Sequence, residues 1–200
     1  MRQLQTAALL AATLCTGLMA GLFTAFAYSV MPGLGRSSDR TLVEAMQNIN
    51  KAIVSPLFMV LFMGAIPLLV LVAVLSWRGQ GRAALPWLIA ALALYLVAFL
   101  VTSGINVPLN DRLAAAGDPD RIGQLAAVRG DFESRWVTWN IVRALLHTAA
   151  FLCLAWALLV YGGQRATDSA GGAPARPQAA TAFPTASPAG PTGSPSAPPR

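Results

Sequence analysis

The stretch Ser55-Pro-Leu-Phe-Met-Val-Leu-Phe-Met-Gly-Ala-Ile-Pro-Leu-Leu-Val-Leu-Val-Ala-Val-Leu-Ser76 contains no charged residue. A helix of about 20 apolar residues is long enough to cross the hydrocarbon core of a bilayer. The stretch therefore predicts a membrane-spanning helix. Pro56 lies near its start, and Pro67 is expected to bend it.

Three further segments are long and predominantly apolar, with predicted bounds at 6–30, 84–105 and 141–161. Only 11% of the residues are charged and 56% are hydrophobic, whereas about a quarter of the residues in a soluble domain are charged. The link at 78–82 is so short that the second and third spans must be antiparallel neighbours. The predicted fold class is all-α, an integral membrane four-helix bundle.

Short amphipathic helices are predicted in the first and third loops of this bundle. In the first loop, Thr41 and Glu44 have the spacing of a capping box. In the third loop, a helix is predicted at about 120–136. Met31-Pro-Gly33 is expected to end the first span and Pro108 the third, because proline donates no backbone hydrogen bond.

Small residues recur at every fourth position of the first span, from Thr13 through Gly17 and Gly21 to Ala25. Such a ridge lets another helix approach closely within a membrane.

Beyond the transmembrane domain, predicted at 1–163, residues 164–200 are rich in proline, alanine, glycine and serine. Such a segment buries too little apolar surface to fold, so we predict a disordered tail.

Four spans place both termini on one side of the membrane, together with the 78–82 link. Basic residues in that link and at the ends of the spans favour the cytoplasm for this side, because Lys and Arg are enriched in cytoplasmic loops. We therefore expect an integral protein of the bacterial inner membrane with both termini cytoplasmic. A cleaved signal peptide is the alternative for the first span, whose apolar run is longer than that alternative requires.

A polar stripe marks the beginning of the fourth span. Trp136, Asn140, Arg143 and His147 recur at intervals of four, three and four, which places them on one face of a helix. A lone arginine at the centre of a bilayer costs about 2.5–3.5 kcal/mol, and less near the interface, so Arg143 requires a partner. The candidate partners are asparagine carbonyls and Asp111.

Connectivity brings further polar residues to the same end of the bundle. The predicted binding set at this end is Asn50, Asn106, Asn110, Trp136, Trp139 and Asn140, with Arg143 beside it. A lone histidine such as His147 is either a packed helix residue or a catalyst. One histidine and no carboxylate within a span are too few ligands for a metal site, and no glycine-rich dinucleotide loop follows a strand, so neither a metal nor another cofactor is expected. The expected partners are membrane lipid and a small aromatic or quinone-like ligand. The scattered basic residues do not form a nucleic-acid surface, and the sequence leaves homo-oligomerisation open.

Seven short motifs occur in a distinctive order: Ala20-Gly-Leu-Phe-Thr-Ala-Phe26, Val30-Met-Pro32, Ala45-Met-Gln-Asn-Ile-Asn50, Pro56-Leu-Phe58, Asn106-Val-Pro-Leu-Asn110, Arg135-Trp136 and Trp139-Asn-Ile-Val-Arg143. In these motifs, over about residues 6–161, the chain resembles the anthrone oxygenase-like family of four-helix membrane proteins. The resemblance implies oxidation of anthrones to anthraquinones by molecular oxygen, without metal or flavin. It also implies His147 and Arg143 as catalytic residues, with the imidazole removing a proton and the guanidinium stabilising the oxyanion. Many members have no assigned activity, so a non-enzymatic protein that binds a lipid or quinone, or supports a partner protein, is the second hypothesis. Family sequences often carry a histidine directly after the Trp-Asn pair, where this chain has Ile141, and His147 would then take its place.

Overall fold

The computed structural model describes residues 2–79 and 81–171, with side chains placed as far as residue 166. Its elements are α1 (Arg2–Ala25), a first π turn (Phe26–Val30), α2 (Met31–Gly35), α3 (Asp39–Ile53), α4 (Pro56–Arg78), a 3₁₀ turn (Arg82–Ala84), α5 (Leu85–Val101), a second π turn (Thr102–Asn106), α6 (Val107–Ala115) and α7 (Leu125–Gly171). Every regular element in the described part of the chain is helical.

Four continuous helical stretches are long and apolar enough to cross a membrane. They are Arg2–Gly35, Pro56–Arg78, Arg82–Ala115 and Leu125–Ala166. This result confirms the predicted all-α fold with four spans. In the bundle, α1 packs on α4 and α7, and α5 packs on α4 and α7, so each span contacts two neighbours.

The first and third spans do not end at their prolines as predicted. Met31 donates its backbone N–H to the carbonyl of Phe26, and Val107 donates to Thr102, each five residues back along the chain. The π turn shifts the hydrogen-bonding pattern immediately before Pro32 and Pro108. Each proline then lies in the first turn of the next helical segment, where no N–H donor is required. Both helices therefore continue beyond the proline.

The loop helices also differ in detail from the prediction. The N-cap of α3 is Ser38, whose Oγ accepts a hydrogen bond from the backbone N–H of Thr41 at 3.2 Å. The predicted capping box at Thr41 and Glu44 is therefore wrong by about one turn, and Glu44 instead pairs with Arg40 at 2.9 Å. In the third loop, α7 begins at Leu125 rather than 120. It continues without a break into the fourth span, because no proline interrupts it.

Two apolar clusters stabilise the structure. The first lies between the four spans and includes Phe23, Phe62, Tyr95 and Leu154. The second lies at the end of the bundle opposite the chain termini, where α3 and α6 pack on the first turns of α7. Its buried members are Met31, Leu42, Val43, Met46, Leu109, Leu113, Phe132 and Trp136. We call this second unit the end cap.

Arg129 links the end cap to the loop that follows α2 through hydrogen bonds and ion pairs. Its guanidinium donates to the carbonyls of Gly35 and Ser37 at 2.7 and 3.0 Å and to the carboxylates of Asp39 and Glu133 at 3.0 and 2.6 Å. Because one side chain satisfies four acceptors from two parts of the chain, it fixes the position of α3 relative to α7.

The small-residue ridge of the first span produces a close helix contact at one of its glycines. A Cβ atom on Gly17 would lie 2.9 Å from the ring of Phe151 on α7, whereas one on Gly21 would meet nothing within 4 Å.

At the other end of the chain, α7 continues to Gly171, past the predicted tail boundary at 164. The rest of the predicted tail lies outside the described residues.

Candidate functional site

The polar stripe of α7 points into the bundle. Trp136, Asn140, Arg143 and His147 are exposed by only 3%, 0%, 6% and 0%. The α-helical spacing predicted from the sequence therefore produces one buried face. This face runs from the end cap into the core between the spans.

Arg143 carries a positive charge into the interior without an acidic partner. Its Nε and Nη2 donate to Asn140 Oδ1 at 3.1 and 3.0 Å, and no carboxylate among residues 2–79 and 81–166 forms an ion pair with it. The guanidinium carbon lies 4.1 Å from the ring centre of Phe23 and 5.2 Å from that of Trp136, close enough for cation–π attraction. Aromatic faces and one amide oxygen therefore stabilise the charge.

Asparagine side chains hold the helices around this guanidinium. Asn140 donates through Nδ2 to the carbonyl of Phe23 at 3.1 Å, which ties α7 to α1. Asn106 donates to the carbonyl of Trp136 at 3.3 Å, and Asn110 Oδ1 accepts from Trp136 Nε1 at 2.8 Å. The two asparagines beside Pro108 therefore bind the fourth span rather than the carbonyls of their own helix.

A cavity of about 380 Å³ lies between the end cap and the core of the spans. Phe23, Phe58 and Phe62 form its inner wall, and Arg143 and Trp136 lie on the α7 side. Pockets of about 300–1,000 Å³, mostly apolar with a few polar groups, are typical of small-molecule sites. This cavity has the size and composition for a ligand with several fused rings.

Polar groups that could bind such a ligand occur along the cavity wall. Asn50 lines it, and its Nδ2 is buried with no hydrogen-bond partner. Lys51 and Asp111, both exposed, lie at the outer end of the wall. The described residues therefore place two cationic groups, one carboxylate and one free amide donor around an aromatic chamber.

His147 lies deeper than the cavity and does not line it. Its ring stacks on Phe23 with a centroid separation of 5.0 Å, and it makes edge contacts with Tyr95 at 4.7 Å and Phe62 at 6.3 Å. Both ring nitrogens are buried without a hydrogen-bond partner. Two of the three surrounding rings, those of Phe23 and Phe62, also belong to the cavity wall, so they stand between the imidazole and the chamber.

The remaining predicted site residues divide into two groups. Asn106 is buried beside the cavity without lining it, whereas Trp139 points toward a separate groove next to Pro108 and Arg135. Gln47 of α3, which is not among the predicted site residues, is buried, and its Nε2 donates to the carbonyls of Leu113 and Gly117, both at 2.9 Å. It also lines the cavity, and its one-turn spacing from Asn50 and Lys51 could have indicated a shared face.

A comparison with known protein families matches the region of the chain that contains most of this site. A family model described as anthrone oxygenase matches residues 58–153. Over these residues, just under half of its length, the chain is similar to the anthrone oxygenase-like family. The match extends from the cavity end of α4 through most of α7 and so includes the second π turn, the two asparagines beside Pro108 and the polar stripe. Neither the curated proteins nor the solved structures that were searched contain a match to this chain.

Ile141, the residue directly after the Trp-Asn pair, does not face the cavity. Ile141 is exposed on the outer side of α7, whereas its neighbour Asn140 is fully buried. Positions 141 and 147 lie on different faces of the helix, because six residues correspond to well over one and a half turns. His147 is therefore not a spatial replacement for an imidazole at position 141. Among the described residues, no three His, Cys, Asp or Glu side chains are grouped as metal ligands would be.

Proposed function

We propose that this protein is a cofactor-independent oxygenase of phenolic, anthrone-type substrates, which bind in the end cavity with one oxygen on Arg143. The observation that carries the proposal is the buried guanidinium of Arg143, which has no acidic partner among the described residues and faces a cavity of about 380 Å³ lined by aromatic rings. A buried charge without a counter-ion is costly. An anionic oxygen of the ligand would supply the missing partner and add a charge-assisted hydrogen bond.

The proposed reaction uses the electrons of the substrate itself. Removal of a proton from the methylene carbon of an anthrone gives an enolate, whose charge lies largely on the oxygen of the former carbonyl group. Arg143 stabilises that oxyanion, which lowers the energy of the carbanion form. Molecular oxygen adds at the carbon, and the resulting hydroperoxide loses water to leave a second carbonyl. One anthrone and one dioxygen thus become one anthraquinone and one water.

The proton acceptor in this proposal is Asp111. A general base must come within hydrogen-bond reach of the proton that it removes, and Asp111 is the one carboxylate on the described cavity wall. His147, the base expected from the sequence, lies behind Phe23 and Phe62. We therefore assign the deprotonation to Asp111 and assign His147 to packing.

The test is turnover by the protein purified in detergent. We expect anthrone oxidation above the detergent background, with one dioxygen consumed per anthraquinone formed. Asp111→Asn is expected to lower the rate by about 10²-fold, the lower range for loss of a general base. Asp131→Asn changes an exposed carboxylate on α7 outside this cavity and should leave the rate unchanged. No acceleration by the wild-type protein would overturn the proposal.

The burial of His147 favours one alternative function. Because its two nitrogens have no hydrogen-bond partner, the bundle core offers no evident base. The same cavity would suit a non-enzymatic role in binding a quinone or lipid or in supporting a partner protein. Thermal-shift measurements separate the two functions: stabilisation by quinones or lipids but not by anthrones favours the alternative.

The proposed setting is the bacterial inner membrane with both chain termini in the cytoplasm. The cavity would then lie at the periplasmic end of the bundle, because α3 and α6 are at the end opposite the termini. Labelling of single cysteines introduced at 39 and 79 with an impermeant reagent tests this orientation. Labelling of the former alone in intact cells is expected, and labelling of the latter alone would reverse it.

A further inference from the structure

The cavity reaches the outer surface of the bundle between α4 and the chain that continues α5. The contact between α4 and α5 is the least extensive of the four contacts between neighbouring spans. Met63 of α4, Ser103 of the second π turn and Val107 of α6 all line the cavity, and all three are exposed. A wall built from exposed residues of two helices indicates an opening between them.

The opening lies at a depth where the surroundings are lipid. Met63 is seven residues beyond Pro56, about 10 Å along the helix at 1.5 Å per residue. On the same outward stripe, Leu57, Val60 and Met63 are exposed by 70%, 68% and 41%. This apolar surface is what a hydrocarbon environment would cover. Lys51 and Asp111, by contrast, mark the aqueous end of the cavity.

We propose that this opening is a lateral portal, with Met63, Ser103 and Val107 at its rim, through which an apolar aromatic ligand passes directly from the bilayer into the cavity. The proposal rests on the proposed function for the class of ligand. A fused aromatic ring system dissolves preferentially in hydrocarbon, because its transfer from water is favourable in proportion to its apolar area. Loading from lipid lets such a ligand reach Arg143 without passing through water.

The second π turn is the structural element that forms the rim. By widening the helix before Pro108, it leads the chain from α5 into α6 while Thr102 and Ser103 stay on the cavity wall. Such turns occur frequently at functional sites. The small side chain of Ser103 leaves the opening clear, so enlarging this residue should close it.

The test measures ligand loading from lipid separately from ligand affinity. Vesicles that contain dihydroxyanthraquinone are mixed rapidly with vesicles that contain the protein, and binding is followed by the emission of the probe. Equilibrium affinity is measured in detergent. Ser103→Phe should slow loading at least tenfold while changing the affinity less than threefold. Leu100→Phe places the same ring on an exposed position of α5 outside the cavity wall and should change neither quantity.

Two further variants keep the test decisive. Val107→Phe narrows the opposite part of the rim and should also slow loading if Ser103→Phe does not fold. Ala114→Phe, at an exposed cavity-lining position three residues beyond Asp111, obstructs the aqueous end and should leave the loading rate unchanged. Loading at the wild-type rate by the rim variants, or slow loading by Ala114→Phe alone, would overturn the portal. Absence of probe binding by the wild-type protein in detergent would instead overturn the proposed function and the portal with it.

Discussion

Replacing Arg143 with methionine should abolish most ligand binding while leaving the fold nearly as stable as before. Methionine keeps an unbranched side chain but removes the charge from the cavity wall. If the ligand presents an anionic oxygen, the variant loses a charge-assisted hydrogen bond, for which about 1.5–3 kcal/mol is typical. At 1.4 kcal/mol per tenfold change in affinity, the Kd should rise by about 10- to 150-fold.

The change in stability should be small because opposing effects nearly cancel. Removing the charge relieves a desolvation cost of up to about 2.5–3.5 kcal/mol. Against this gain, Asn140 Oδ1 loses the two donors that it now accepts from, at about 1–3 kcal/mol. The cation–π contact of Arg143 with Phe23 is also lost, at about 0.5–2 kcal/mol. We therefore expect Tm to change by only a few degrees.

The assay is titration of the detergent-solubilised variant with dihydroxyanthraquinone, together with a thermal unfolding scan. Arg135→Met is the matched control, because it removes an exposed arginine of the same helix that does not line the cavity. An affinity of Arg143→Met within threefold of wild type would refute the role given to the guanidinium. A fall in Tm large enough to account for the lost binding would refute it as well.

Three other predictions concern neighbouring features of the structure. His147→Phe should leave the oxidation rate within threefold of wild type and Tm equal or higher, because it removes two unpartnered nitrogens. A rate loss of a hundredfold with the fold intact would identify His147 as the base. Arg129→Met should destabilise the protein by about 2–4 kcal/mol and speed hydrogen exchange at 35–39, because four acceptors lose their donor, whereas Arg121→Met, at an 87% exposed side chain, should do neither. Gly17→Ala should cost about 1–3 kcal/mol by forcing the aromatic ring opposite it to move, and equal Tm values for Gly17→Ala and Gly21→Ala would contradict that packing.

The spans and the inward stripe of α7 could be predicted from the sequence because both follow from simple physical patterns. A long uncharged run such as 55–76 is stable within a bilayer as a membrane-spanning helix, because the helix satisfies all of its backbone hydrogen bonds. The interval from Asn140 to Arg143 and His147 fixes a common face for any helix that contains them. The ends of the first and third helices could not be predicted in this way. The π turns before Pro32 and Pro108 depend on hydrogen bonds shifted by one residue, and no residue type marks such a shift.

The composition of the cavity wall could not be predicted from the sequence either. Phe58 and Phe62 lie in a span that is apolar on every side, so hydrophobic periodicity does not distinguish the faces toward lipid, core and cavity. Trp139 shows the opposite difficulty. It belongs to a polar motif, but its position on α7 turns it toward the outer groove rather than the chamber. The depth of His147 follows from the rings of three other helices, which one segment of sequence cannot reveal.

The most direct test of the role of Arg143 is the ionisation of a phenolic probe in the cavity. A nearby opposite charge favours the charged form of an acid and typically lowers its pKa by about 1–3. Spectrophotometric titration of bound dihydroxyanthraquinone should therefore show the phenolate band at lower pH with the wild-type protein than with protein-free detergent. Arg143→Lys should reduce this difference in pH, and Arg143→Met should abolish it. A bound probe that ionises at the same pH as the free probe would contradict the account.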